Sequence, residues 1–87
     1  MACNIEAIKD RIGGLLDNNG VTGTMRAAYY AFASKICKLC TEPGRDKQKI
    51  ISEVNKLVRE YLSEYEGVDE TILRKISNVL CPGLLST

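Results

Sequence analysis

Four cysteines are the residues best equipped for chemistry in this 87-residue chain. Cys37 and Cys40 form a Cys-x-x-Cys pair in Ser34-Lys35-Ile36-Cys37-Lys38-Leu39-Cys40-Thr41, and Cys3 and Cys81 lie far away on either side. Three arrangements compete. Two disulfides joining the ends of the chain to the Cys-x-x-Cys segment would close long loops and add about 2 to 4 kcal/mol each to a small domain. A four-thiolate site for zinc or an iron–sulfur cluster is the second, since Cys-x-x-Cys is a common half-site and a Cys-Pro step such as Cys81-Pro82 occurs in some cluster proteins. The other half, however, lacks a paired Cys-x-x-Cys. In the third arrangement the thiols stay reduced and pack as small core residues. Disulfides are the leading expectation. They are unusual inside cells outside hyperthermophiles, so in an intracellular protein they imply a thermophilic source. A thioredoxin-type dithiol fits poorly, because that motif opens a helix where the dipole favours thiolate, and here the pair lies near a helix end.

Histidine is absent, which removes the usual general base and the commonest neutral metal ligand. The carboxylate pairs that remain, Asp17 with Glu42 and Glu60 with Glu64, come without a nucleophile beside a base or a Gly-rich phosphate loop. Enzymatic activity is therefore not expected, and no cofactor beyond the thiolate-bound metal above. Tyr30 and Tyr65 are candidate interface residues, since amphipathic rings suit the rim of a contact surface.

The segment from Tyr65 to Asn78 resembles a helix-turn-helix, with Gly67-Val68-Asp69 at the turn and the motif extending over 57–80. The resemblance implies that Thr71, Arg74, Lys75 and Asn78 face outward as base or phosphate contacts on a recognition helix. Glu66 stands where an apolar residue is expected, and the preceding helix is far longer than the motif's first helix. A net charge of +1 supplies no general field for a polyanion, so nucleic acid is an alternative rather than the favoured partner.

The elements that position these residues are read from apolar spacing. Ile5, Ile8, Ile12, Leu15 and Leu16 mark a helix over about 4–17, with Gly13 and Gly14 inside it where another backbone is expected to pass closely. Asp17 to Gly23 is a turn, and Thr22 or Thr24 is expected to cap a second helix over 24–40 striped by Met25, Ala28, Tyr29, Phe32, Ile36 and Leu39. Pro43-Gly44 ends it. A third helix over 46–66 carries Ile50, Ile51, Val54, Leu57, Val58, Tyr61, Leu62 and Tyr65, and a fourth over 69–81, capped by Asp69, carries Ile72, Leu73, Ile76, Val79 and Leu80. Pro82-Gly83 closes the fourth, and Leu84 to Thr87 is expected to fold back or fray.

The fold class expected is all-α, a single small domain built as a four-helix up-down-up-down bundle. Such a bundle draws Cys3, Cys37, Cys40 and Cys81 to one pole. The fourth helix, roughly 18 Å long against roughly 30 Å for the third, puts Cys81 at risk of stopping short. With 45% hydrophobic and 26% charged residues the composition is that of a water-soluble globular protein, and no apolar run is long enough for a membrane span. Met1 to Glu6 lacks the basic flank and apolar block of a secretory signal, so a cytoplasmic location is expected. The functional expectation is a small interaction protein acting on a protein partner or as a homodimer.

Overall fold

Three of the four helices begin on a side-chain oxygen that stands in for the missing preceding turn. The computed structural model describes residues 3–44 and 46–82. Within them α1 spans Ile5–Asn18, α2 Met25–Thr41, α3 Lys47–Glu64 and α4 Glu70–Leu80, with no strand among the described residues. Asn4 Oδ1 accepts the Ala7 N–H at 2.8 Å, Asp46 Oδ1 the Lys49 N–H at 2.8 Å, and Asp69 Oδ1 the Thr71 N–H at 2.7 Å. The exception is α2. Thr24 has helical dihedrals, φ −67° and ψ −21°, and makes no capping bond, so the threonine cap expected there does not form. A cap needs an extended backbone to turn its oxygen back on the helix. Here Gly23, at φ +62°, makes the turn instead, and its carbonyl takes the Arg26 N–H at 3.2 Å.

The all-α four-helix class is the one the apolar spacing predicts, and the bounds agree within about a residue except at the end of α3. That helix stops at Glu64, two residues early, because Tyr65 is extended and Gly67 sits at φ +90°, where a side chain would be strained. Each helix buries one stripe: Ile8, Ile12 and Leu16 from α1; Tyr29, Phe32 and Ile36 from α2; Val54, Val58 and Tyr61 from α3; Ile72, Leu73, Ile76 and Leu80 from α4. α2 and α4 touch each other and both remaining helices, whereas α1 and α3 do not meet. The radius of gyration, 12.2 Å, is close to the roughly 12 Å typical of a chain of this length.

Two stripe positions differ from expectation: Ile5 is 50% exposed and Tyr65 38%. The close passage expected at Gly13 and Gly14 is also absent. A Cβ placed on Gly14 would meet nothing within 4 Å, and one on Gly13 only the Arg26 guanidinium, at 3.8 Å. Both residues lie in an unbroken α1. The tail Leu84 to Thr87 lies outside the described residues.

Candidate functional site

At one pole of the molecule the cysteines pair as Cys3–Cys37 and Cys40–Cys81, with Cα separations of 5.7 and 5.8 Å that suit a disulfide. No cysteine is free among the described residues. Cys37 and Cys40 lie one turn apart near the end of α2, so a single turn of helix anchors both the start of α1 and the end of α4. Thr41 supports that turn, its hydroxyl donating to the Cys37 carbonyl at 2.9 Å and lying 3.8 Å from Cys3 Sγ. With the sulfurs bonded in pairs, neither the four-thiolate zinc or iron–sulfur site nor the reduced packing arrangement is the one formed. No group of three or more Cys, Asp or Glu side chains is placed to hold a metal ion among the described residues.

Cys81 reaches the pole although α4 has only 11 residues. The reason lies at the opposite end. The Asp69 N–H donates to the Tyr29 hydroxyl at 2.9 Å, so α4 starts level with Tyr29 rather than with the start of α2. From Tyr29 to Cys40 and from Asp69 to Cys81 are nearly equal lengths of helix, and the two ends arrive together.

The other candidates separate. Thr71, Arg74, Lys75 and Asn78 do share one open face of α4, as the helix-turn-helix resemblance implies, but Glu70 lies among them. Arg74 is engaged within the fold: its Nε donates to Glu70 Oε2 at 3.2 Å and its Nη1 to Asn55 Oδ1 at 2.8 Å, tying α4 to α3. Tyr30 is half-buried rather than projecting. Its hydroxyl accepts from Arg26 Nε at 3.2 Å and Nη2 at 2.9 Å, and Lys9 Nζ stands 5.6 Å from the ring. Asp17 belongs to the same cluster, accepting from Arg26 Nη1 at 2.7 Å, and so is not brought to Glu42, which follows α2 at the cysteine pole.

Arg26 was not marked by apolar spacing, yet it joins the end of α1, the turn and α2. Its guanidinium also donates to the Val21 carbonyl at 3.0 Å and the Gly13 carbonyl at 3.4 Å. The hydrogen bond to Tyr30, followed by that to Asp17, raises its pKa above the ordinary value. The only signal in the sequence is the four-residue spacing of Arg26 and Tyr30, which places the two side chains on one helix face.

Tyr65 stays partly exposed where α3 ends. It borders a shallow groove of about 440 Å³ between the start of α2 and the end of α3, lined by Met25, Ala27, Ala28, Ala31, Glu64 and Glu66 among others. Its ring stacks on Tyr61 with centroids 5.1 Å apart, and Tyr61 in turn meets the buried Phe32 edge-on at 5.3 Å. Lys35 Nζ lies 5.2 Å from the Tyr61 ring. Its pKa is raised first by Tyr61, then more weakly by the nearby Glu60 and Glu64 carboxylates. An aromatic ladder therefore runs from the core to the lip of the groove.

No family model, curated protein or solved structure matches this chain. What the site does has to be argued from its own geometry. Among the described residues, no helix is long and apolar enough to cross a membrane.

Proposed function

We propose that this chain is a small, non-enzymatic protein-contact module, stapled at one pole by two disulfides and binding through the α2–α3 groove at the other. The observation that carries the reading is Tyr65, held by stacking on Tyr61 and still 38% exposed at the edge of an apolar floor of alanines and Met25. A ring pre-positioned in this way loses little conformational freedom on binding, which is why tyrosine is common among binding hot spots. Polar side chains elsewhere are used to hold helices together: Arg26 on Asp17 and Tyr30, Arg74 on Glu70 and Asn55. The engagement of Arg74 also makes duplex DNA the weaker reading, because recognition would require breaking those bonds.

A photo-activated cross-linking residue at position 27, beside the groove, is expected to give discrete protein adducts in the native cell. The same residue at position 56, on the exposed side of α3, is expected to give none. Equal labelling at both sites, or none at either, removes the groove as the contact surface. Two disulfides also favour a non-reducing setting, so the cytoplasmic expectation holds together only with a thermophilic source. Blocking thiols before lysis and weighing the intact chain tests this: a chain lacking four hydrogens is the oxidised form.

A further inference from the structure

We propose that α3 opens as a unit from a core of α1, α2 and α4 that stays closed, so that the α2–α3 groove is made and unmade by the movement of one helix. The opening itself does not depend on what the groove binds.

Ties at the helix ends set α3 apart. α1 is joined to α2 at both ends, by Cys3–Cys37 at its start and by Arg26 Nη1 on Asp17 Oδ1, 2.7 Å, at its finish. α4 is joined to α2 in the same way, by the Asp69 N–H on the Tyr29 hydroxyl at one end and by Cys40–Cys81 at the other. Arg11 Nη2, donating to the Val79 carbonyl at 3.1 Å, also joins α1 to α4. α3 carries no cysteine, and among the described residues no backbone hydrogen bond from its ends reaches another helix. It is held from the side: Arg74 Nη1 donates to Asn55 Oδ1 at 2.8 Å, and Tyr61 packs on Phe32 with Lys35 Nζ 5.2 Å from its ring.

Burial divides the helices in the same way. α3 buries three of its 18 residues, against seven of 17 in α2 and five of 11 in α4. α1 also buries only three, of 14, but it has the end ties that α3 lacks. Since α1 and α3 do not meet, removing α3 leaves the contacts of α1 with α2 and α4 in place. Stability is spread unevenly over a protein, and an element with few buried contacts and no covalent tie opens more readily than the whole unfolds. α3 lies inside the loop that Cys40–Cys81 closes, so an open α3 stays near its seat and returns to it.

Native-state hydrogen exchange, read residue by residue by NMR on the oxidised chain, tests the proposal. The amides of Val54, Val58 and Tyr61 are expected to exchange at least about tenfold faster than those of Ile36 in α2 and Ile76 in α4, although all five side chains are buried. Ile12→Val, in α1, distinguishes two units from one. It should speed core exchange in α1, α2 and α4 by about threefold to tenfold and leave α3 unchanged, because α3 opens without disturbing Ile12. Equal protection in all four helices overturns the proposal. So does an Ile12→Val chain in which α3 speeds up with the rest, since the molecule then opens as one. If α3 exchanges separately while position 27 gives no adducts, the opening of α3 stands and the contact reading falls.

Discussion

Arg26 holds the α1–α2 corner through five hydrogen bonds, two of them to backbone carbonyls that have no other side-chain donor described. Arg26→Met keeps the aliphatic stem and removes every donor. It is expected to lower the thermal midpoint, and to lower it further than Arg74→Met, whose guanidinium meets only Glu70 and Asn55. Melting curves of both variants with disulfides intact check the order, and the reverse ranking refutes it. Apolar periodicity could not reveal this residue, because a polar side chain leaves no mark in the apolar stripe, and two of its five bonds go to main-chain acceptors that are the same whatever the sequence. Gly14 is the opposite case, a residue conspicuous in the sequence and idle in the structure. It is exposed, inside α1, with nothing within 4 Å of a Cβ position. Gly14→Ala should therefore stabilise the fold by about 0.5 to 1 kcal/mol, read as a midpoint a few degrees higher. A lower midpoint would mean that the glycine has a packing role after all.

Among the elements, α4 depends most on its ends. Isolated helices shorter than about 12 to 15 residues are marginal in water, and α4 has 11. Its buried stripe supplies the main support, and its ends are held by the Asp69 cap, the Tyr29 hydroxyl on the Asp69 N–H, and the Cys40–Cys81 bridge. Asp69→Ala should cost about 1 kcal/mol, as loss of an N-cap does. Tyr29→Phe leaves a partly buried N–H without its acceptor and should cost about 1 to 2 kcal/mol. Because both changes act on one backbone segment, the double variant should fall short of or exceed their sum, whereas strict additivity in urea unfolding would show that the two ties are independent. The helix and its cap were readable in advance from Asp69 followed by apolar residues at three- and four-residue steps. The tie to Tyr29 was not, since a stripe tyrosine announces burial of its ring and says nothing about where its hydroxyl finds a partner.

For the whole molecule, the two disulfides divide the chain into successive loops. Cys3–Cys37 encloses α1 and most of α2; Cys40–Cys81 encloses α3 and α4, and the loops do not overlap. Convergence of the four sulfurs at one pole followed from counting helices. Which cysteine joins which was left open, although the side of α2 decides it. Arg26 and Tyr30 face α1, through the Gly13 carbonyl and Lys9, and Cys37 continues that side at the spacing of one helix face. Tyr29 faces the start of α4, and Cys40 continues that side in turn. Sequence separations of 34 and 41 residues give about 4 kcal/mol per bridge by loop entropy, and non-overlapping loops should contribute almost independently. The sum, about 8 kcal/mol, is comparable to the entire stability of a small domain. Cys3→Ala/Cys37→Ala and Cys40→Ala/Cys81→Ala should therefore each lose a similar, large share of the urea midpoint, and the fully reduced wild type should be mostly unfolded at room temperature. Unfolding curves paired with intact mass, to verify which bridges are present, measure this directly. If the reduced chain keeps the oxidised midpoint, helix packing alone holds the bundle and the pole of sulfurs is not what stabilises it.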